Sequence, residues 1–315
     1  MTTSSLTTSA SPVLASPLVS TQWLCDHLGS DGLIVLDATV LSVAAFDGSP
    51  TWLSGLDAYL IDGHIPGALF ADLLEAFSDT DKPYGFARPS AAQFEAAATA
   101  LGITNSSTVV IYDNALGQWA ARLWWLFRAF GYDRVAVLDG GLTKWNLDER
   151  PVETGYIEPE LSDEPFAAGE RPELWVDKPY VESVVDGRTD ARLVCALPAA
   201  EFAGTAGPRS RLGHIPGSVN VTAGRLADRA SHVLLKGDAL REAFAAVLGE
   251  GTDAAVDLAQ PSGRRIVLYC GAGIAAAADA LALVLLGETN VAVYDGSLNE
   301  WVADESAPVV SAASR

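Results

Sequence analysis

The fold is decided by one stretch of sequence, I-V-L-Y-C-G-A-G-I-A-A-A-A-D-A-L-A-L-V-L-L, which covers Ile266–Leu286. Its first four residues are apolar and predict a buried strand that runs directly into Cys270. Three small residues follow, and the alanine-rich remainder predicts a helix. A strand, a short loop and a helix in this order are typical of α/β proteins with a parallel sheet.

Cys270 lies between the strand and the helix N-terminus, where a thiol is suited to nucleophilic chemistry. Backbone N–H groups of the loop and of the first helical turn point toward its sulfur, and the helix dipole favours negative charge there. We therefore predict Cys270 as the catalytic residue. The backbone N–H groups predicted to hold its sulfur as an anion belong to Gly271, Ala272, Gly273, Ile274 and Ala275. The alternative is a buried cysteine that serves as a small hydrophobic residue.

Composition limits the class of protein. The chain has 315 residues, of which 49% are hydrophobic, and this length suits two domains of ordinary size. Its formal net charge is −20, with 40 acidic and 20 basic residues. This acidity disfavours nucleic acid and anionic membranes as partners, and we expect neither. An anionic substrate would need a local group of basic side chains.

The cysteines and the N-terminus indicate the compartment. Three cysteines, Cys25, Cys195 and Cys270, have a spacing that fits neither a disulfide framework nor a metal site. Residues 1–16 lack the basic start and apolar core of a signal peptide, so we expect a disordered tail. No apolar run in the sequence is long enough to span a bilayer. We predict a cytoplasmic protein without a metal.

The motifs of the first half of the chain recur in the second half. The segment Gly-His-Ile-Pro-Gly is found at 63–67 and again at 213–217. An apolar strand followed by Asp-Gly-Gly-Leu and Trp145 returns as a strand followed by Asp-Gly-Ser-Leu and Trp301. A repeat of this length indicates a duplicated domain. We predict a tail at 1–16, a first domain at 17–148, a linker at 149–178 and a second domain at 179–315.

The two copies differ at one informative position. The second copy has Tyr269-Cys270 where the first has Tyr112-Asp113. A carboxylate cannot carry a transferable sulfur, so we predict that the first domain is non-catalytic. Ligands of parallel sheets bind at the carboxyl ends of the strands, and pockets are common at domain interfaces. We expect the first domain to shape the site from across the interface.

Together these motifs resemble those of the tandem rhodanese-like sulfurtransferases, which include thiosulfate and 3-mercaptopyruvate sulfurtransferases. The resemblance covers roughly 19–309, nearly the whole chain. It rests on the paired Gly-His-Ile-Pro-Gly segments, on R-L-W-W-L-F-R-A-F-G at 122–131, on the two Asp-Gly turns with their tryptophans, and on Cys270-Gly-Ala-Gly. Each motif alone is modest, but all of them in this order are highly specific.

The resemblance implies two tandem rhodanese-like domains, each a parallel sheet flanked by helices, and a ping-pong cycle at Cys270. The thiolate would attack the outer sulfur of thiosulfate or a 3-mercaptopyruvate-like donor and become a persulfide. A thiol, cyanide or thioredoxin would then accept that sulfur. The loop N–H groups would hold the persulfide without a general base. No cofactor is implied.

Several positions depart from the patterns of the family. The mercaptopyruvate enzymes have serine at the position of Ala272 and usually Val-Thr at Ile274-Ala275. Phe86 and Leu74 stand where a first-domain histidine and an aspartate are expected. The thiosulfate enzymes have Arg and Lys directly after the cysteine, where this chain has Gly271 and Ala272. Neither substrate pattern is complete, so the sequence leaves the donor open.

Arginines in this family bind the anionic group of the donor. One of the expected positions is Glu201 in this chain. We predict Arg209 as the second, with Arg211 nearby, because an acidic protein needs a local cation to bind an anionic donor. His64 and His214 occur in both copies, including the copy without a cysteine, so we expect structural roles in turns.

Two other functions are compatible with parts of the sequence. Related cell-cycle phosphatases also place a cysteine here, but they require arginine six residues later, where this chain has Ala276. The second alternative is a weakened persulfide carrier or sulfur-binding module. The missing serine, histidine and arginine favour that alternative, and the intact cysteine in an open loop disfavours it.

Overall fold

The computed structural model describes residues 11–44, 50–248 and 263–312. The predicted tail therefore lies mostly outside the described residues. The first half of the chain forms β1 (Leu18–Val19), α1 (Thr21–His27), β2 (Leu33–Asp37), β3 (Val40–Ala44), β4 (Pro50–Ser54), α2 (Leu56–Ile61), β5 (Leu69–Phe70), α3 (Ala91–Ala100), β6 (Thr108–Tyr112), α4 (Gln118–Ala129), β7 (Val135–Leu138) and α5 (Gly141–Leu147).

The second half repeats this order with small changes. It forms β8 (Trp175–Val176), α6 (Lys178–Val185), β9 (Ala191–Cys195), α7 (Ala199–Phe202), β10 (Val219–Asn220), α8 (Gly237–Ala243), α9 (Ala245–Leu248), β11 (Arg265–Tyr269), α10 (Ile274–Leu285), β12 (Val291–Tyr294) and α11 (Ser297–Ala303). Short 3₁₀ turns lie at Pro172–Leu174 and Ala223–Arg225.

Each half builds a five-stranded, wholly parallel sheet. The strand order is β1-β7-β6-β2-β5 in the first sheet and β8-β12-β11-β9-β10 in the second, so equivalent strands occupy equivalent places. The central strands β6 and β11 are almost continuous apolar runs, as expected where helices cover both faces of a parallel sheet. The predicted α/β class and the duplication are confirmed.

The repeat extends to individual hydrogen bonds. Tyr112 Oη accepts the N–H of Ile65 at 3.2 Å, and Tyr269 Oη accepts the N–H of Ile215 at 3.1 Å. In each domain this bond ties the segment after Gly-His to the end of the central strand. The tryptophan after each Asp-Gly turn likewise donates its indole N–H to a proline carbonyl at 2.8 Å.

Edge strands change two of the predicted boundaries. The apolar spacing of residues 17–28 predicts a short helix, but Leu18 and Val19 pair instead with β7, and the helix begins at Thr21. The segment 149–178 does not remain a linker to its end, because Trp175 and Val176 pair with β12 and close the second sheet. The antiparallel hairpin β3–β4 was not predicted. Residues 239–248 match the helical segment that begins at Ala91 in the first half, which predicts a single helix, but the structure breaks it at Phe244 into α8 and α9.

The two domains pack through α4 and α10, the helices that follow the two central strands. Trp124 and Trp125 of α4 are buried there or in the adjoining core. The carboxyl ends of β6 and β11 therefore face a shared interface. Among the helices that the structure describes, none combines the length and the hydropathy that a bilayer crossing requires.

Candidate active site

Cys270 directly follows β11, and its backbone is held by the start of α11. The N–H of Leu298 donates to the carbonyl of Cys270 and the N–H of Asn299 to the carbonyl of Gly271, both at 3.0 Å. The hydroxyl oxygen of Ser297 accepts the N–H of Cys270 at 3.2 Å. Three contacts from the neighbouring strand–helix unit thus fix the position of this cysteine.

The helix after Cys270 begins at a glycine and has no side-chain cap. Gly273 has a φ of +79°, a conformation that glycine adopts without steric cost. The N–H of Ala277 donates to the carbonyl of Gly273 at 3.3 Å and starts the helical ladder. The N–H groups that precede Ala277 have no carbonyl four residues earlier within the helix. They belong to the residues predicted to hold an anion, Gly271 through Ala275, and to Ala276.

Exposure separates the two cysteines of the second domain. Cys270 keeps 3% of its surface exposed, whereas Cys195 is fully buried. Burial raises the pKa of Cys195 to about 12, so this thiol stays protonated at neutral pH. Cys195 is therefore a core residue. Cys270 is the one of this pair that a small reagent can reach.

The first domain shows what the loop can bind. Asp113 occupies the place of Cys270, and its carboxylate accepts four backbone hydrogen bonds. Oδ1 accepts the N–H groups of Ala115 (2.8 Å) and Gly117 (3.0 Å), and Oδ2 those of Trp119 (2.9 Å) and Ala120 (3.0 Å). The loop of the first domain is therefore an anion-binding cradle filled by its own side chain.

The same donors can be assigned in the second domain. Gly117 and Gly273 both precede a twelve-residue helix, with φ of +82° and +79°. Counting from these glycines, Trp119 and Ala120 correspond to Ala275 and Ala276. This correspondence adds Ala276 to the donors inferred from sequence. The side chain of Cys270 is shorter than that of Asp113 and carries no acceptor oxygens. The second cradle therefore has room for an anionic group bound to the sulfur.

Arg209 lies against the catalytic loop. A Cβ atom on Gly271 would overlap its Nη2, so the guanidinium touches the backbone next to Cys270. Nη1 forms a salt bridge with Glu201 Oε2 at 2.8 Å, and Nε donates to Asn299 Oδ1 at 2.9 Å. This position supports the predicted donor-binding role of Arg209.

Arg211 points elsewhere. Its guanidinium donates to the carbonyls of Asp304 (2.8 Å) and Ala307 (2.5 Å) in the segment after α11. These contacts give it a structural task, and we retain only Arg209 as the candidate donor-binding arginine.

A second arginine reaches the loop from the first domain. Arg122 of α4 is 1% exposed and pairs with Asp295 Oδ1 at 2.8 Å, across the domain interface. Its Nη2 also donates to the carbonyl of Phe86, and its Nη1 lies 2.8 Å from the place of a Cβ on Gly273. Arg122 begins the sequence motif at 122–131, but the motif did not predict its contact with the catalytic loop.

The described residues contain no set of side chains that could bind a metal ion. Over 11–44, 50–248 and 263–312, no three histidine, cysteine or acidic side chains come together in a way that could hold a metal ion.

Comparison with known proteins now identifies the family. The model of the rhodanese-like domain matches residues 20–148 and 174–304. The chain belongs to the rhodanese family. It therefore carries two rhodanese-like domains in tandem, and the fold prediction is confirmed.

Relatives in the rhodanese family match nearly the whole chain. The "thiosulfate/3-mercaptopyruvate sulfurtransferase 2" of Arabidopsis thaliana is 35% identical over 95% of this chain and 87% of its own length. The 3-mercaptopyruvate sulfurtransferase of Escherichia coli K12 is 33% identical over 92% of this chain and 96% of its own length. The crystal structure of SseA, a 3-mercaptopyruvate sulfotransferase of Escherichia coli, superposes with a TM-score of 0.73 at 33% identity. That alignment covers 90% of this chain and 98% of SseA.

Two residues that depart from the rhodanese family pattern, Phe86 and Ala272, lie near Cys270 or next to a residue that contacts its loop. The carbonyl of Phe86 accepts Arg122 Nη2, and its ring packs 5.2 Å from that of Trp119. The Phe86 ring is therefore buried among apolar side chains of the first domain, and Phe86 supplies no ionisable group. Ala272 in the loop offers no hydroxyl, so hydrogen bonding to a ligand there depends on the backbone.

The histidines of the two rhodanese repeats are turn residues, as predicted. His64 stacks on Tyr59 with ring centroids 4.0 Å apart, and His214 stacks on Phe202 at 3.7 Å. Both histidines also pair through their backbones with a later segment of the chain, His64 with Glu153 and His214 with Val310. These contacts account for their recurrence without a catalytic role.

Proposed function

We propose that this rhodanese-family protein is a sulfurtransferase of the thiosulfate/3-mercaptopyruvate type that carries sulfur as a persulfide on Cys270. The proposal rests on one observation, the cradle of backbone N–H groups at the start of α10. Its first-domain counterpart holds the carboxylate of Asp113 through four hydrogen bonds. The named activities of the relatives support the same function.

The chemistry follows from the cradle. The Cys270 thiolate attacks the outer sulfur of the donor, a new S–S bond forms, and the electron pair of the broken bond leaves with the rest of the donor. The loop N–H groups, from Gly271 to Ala276, bind the negative charge of the resulting persulfide. A nucleophilic acceptor then attacks the outer sulfur, and the electron pair of that S–S bond returns to Cys270 as thiolate.

The acceptor and the location stay predictions. A small thiol or cyanide fits a cysteine that is only 3% exposed. Thioredoxin remains an acceptor to be tested, and the reducing cytoplasm remains the predicted compartment.

Mass spectrometry of the intact protein tests the proposal. After incubation with thiosulfate or 3-mercaptopyruvate we expect one added sulfur, mapped to Cys270 and removed by cyanide. Cys270→Ser should abolish the adduct. Cys195→Ser is the matched control and should keep it, because the Cys195 thiol is buried and protonated. An adduct on another cysteine, or no adduct with any donor, would contradict the proposal.

A second candidate is a persulfide carrier with little turnover. The absence of a hydroxyl at Ala272 and of an ionisable side chain at Phe86 favours it. The same experiment distinguishes an enzyme from a carrier. A carrier would form the Cys270 adduct in a single turnover but would transfer the sulfur to cyanide, giving thiocyanate, only slowly.

A further inference from the structure

Two opposite charges lie side by side at the entrance to the catalytic loop. Arg209 Nη1 and Glu201 Oε2 are 2.8 Å apart, and their side chains are 13% and 23% exposed. At this exposure the pair is partly shielded from water, so each charge acts strongly on a ligand that enters beside it. The net charge of the pair is zero, which is a poor match for a ligand that is only an anion.

Arg209 contacts the loop that carries the reacting cysteine. Arg209 Nη2 touches the backbone of Gly271, the residue after Cys270. Asn299 fixes the guanidinium through Nε and is itself bonded to the carbonyl of Gly271 through its N–H. The guanidinium is thus held in place relative to the reacting cysteine.

Each member of the pair keeps hydrogen-bonding capacity. The hydrogen bonds found among the described residues use Nη1 and Nε of Arg209 and Oε2 of Glu201. That leaves Nη2 as a donor and Oε1 as an acceptor. A ligand that presents a carboxylate and an ammonium on adjacent carbon atoms satisfies both charges at once, whereas a simple carboxylate faces repulsion from Glu201.

We propose that the donor taken at this site is a zwitterionic α-amino acid that carries the transferable sulfur on its side chain. Arg209 binds its carboxylate and Glu201 binds its ammonium. The inference rests on the proposed function, the sulfur transfer through Cys270, and assigns an amino-acid persulfide in place of a purely anionic molecule as the preferred donor.

The transfer balances without a further reactant. The Cys270 thiolate attacks the outer sulfur of the amino-acid persulfide, and a new S–S bond forms. The S–S bond of the donor breaks, its electron pair leaves on the inner sulfur as a thiolate, and the outer sulfur keeps its proton. The reverse step makes the corresponding amino-acid thiol an acceptor that uses the same charges.

Two matched donors test the ammonium contact. Cysteine persulfide and the persulfide of 3-mercaptopropionate differ only in the ammonium group. With cyanide as acceptor, we expect kcat/KM to be about tenfold higher for cysteine persulfide, because the charge-assisted hydrogen bond from its ammonium group to Glu201 is absent with the other donor. In Glu201→Gln the ratio should fall to about two or less, with the deaminated donor reacting faster than in the wild type. Glu158→Gln, at an exposed position outside the site, should leave the ratio unchanged.

The outcomes distinguish the two proposals. Equal rates for both donors in the wild type, or an unchanged ratio in Glu201→Gln, would overturn the amino-acid assignment. If Glu201 only positions Arg209, the substitution slows both donors alike, and the assignment also fails. Circular dichroism and urea unfolding of Glu201→Gln, compared with the wild type, show that the variant is folded. Failure of every donor to load Cys270 would instead overturn the sulfurtransferase proposal.

Discussion

At the scale of single residues, one exchange separates the two domains. Both domains have the cradle of N–H groups, a tyrosine before it, and a backbone hydrogen bond from the next strand–helix unit to the residue after that tyrosine. The carboxylate of Asp113 fills the first cradle, whereas Cys270 faces the second. An aspartate carboxylate reaches the N–H groups that a persulfide would use. The first domain therefore keeps the anion-binding geometry and lacks an atom that can exchange sulfur.

The glycine at the start of α10 allows a test at this scale. Gly117 and Gly273 have nearly the same φ, +82° and +79°, so alanine costs about 1–2 kcal/mol in backbone strain at either position. A Cβ on Gly117 meets nothing within 4 Å, whereas one on Gly273 would lie 2.8 Å from Arg122 Nη1. Gly273→Ala should therefore destabilise the protein more than Gly117→Ala and should slow the loading of Cys270.

Urea unfolding and single-turnover persulfide formation check this prediction. The control variant Gly117→Ala should form the Cys270 persulfide at the wild-type rate. Equal losses of stability in both variants, with equal loading rates, would show that Arg122 does not constrain the loop.

The sequence was informative about residues whose role depends on local order. Cys270 was predicted because its neighbours along the chain define a strand, a loop and a helix. Ser297 was not predicted, although it accepts the N–H of Cys270, because its contact depends on how β12 pairs with β11. Its first-domain counterpart is Gly141, so the only local signal was an exchange of Gly for Ser within one turn.

At the scale of elements, α10 contains a group that its packing does not explain. Asp279 is fully buried in this helix, and neither carboxylate oxygen has a hydrogen-bond partner among the described residues. Burial alone raises the pKa of Asp279 well above its ordinary value of 3.8. The corresponding residue of α4 is Leu123, which is buried as well.

We predict that Asp279→Leu stabilises the protein by about 1–3 kcal/mol at neutral pH, because it removes an unpaired polar group from the core. The folded chain binds the Asp279 proton more tightly than the unfolded chain. The free energy of unfolding of the wild type should therefore fall as pH rises from 3.8 toward the raised pKa, and this contribution is absent in the variant.

Chemical denaturation at pH 5 and pH 8 measures the difference between the two proteins. The stabilisation by leucine should be larger at pH 8. Asp279→Asn is the control, since it cannot ionise but keeps a polar group in the core. It should abolish the pH dependence that Asp279 gives to the free energy of unfolding, and it should stabilise the protein less than leucine does. A gain that does not change with pH would mean that Asp279 is not protonated in the folded protein.

Elements also show where sequence patterns reach their limit. The apolar sequences of β6, β11 and β12 predict strands at 109–112, 266–269 and 291–294, within one residue of the observed bounds. The edge strands β1 and β8 have two residues each, too few for any period to appear, and they form only because β7 and β12 offer unpaired edges. Such strands depend on tertiary pairing and not on local propensity.

At the scale of the whole molecule, a buried ion pair joins the domains beside the active site. Arg122 of α4 and Asp295 after β12 come from different halves of the chain. The guanidinium also stacks over the ring of Trp175 at 4.8 Å, and Asp295 Oδ2 accepts the N–H of Arg88 at 2.8 Å. The pair therefore connects three segments of the interface to the loop that carries Cys270.

Removal of one partner should expose the energetic role of this pair. Asp295→Asn leaves the Arg122 cation buried without its counter-charge, and we expect a loss of about 3–5 kcal/mol in the free energy of unfolding. Asp133→Asn is the control: its salt bridge with Arg171 is a 2.6 Å contact but is partly exposed, so its loss should cost no more than about 1 kcal/mol.

Arg122→Met combined with Asp295→Asn should recover part of the stability, because no buried charge remains. If the double variant is less stable than Asp295→Asn alone, the contacts of Arg122 with Phe86 and Trp175, and not its charge, hold the two domains together.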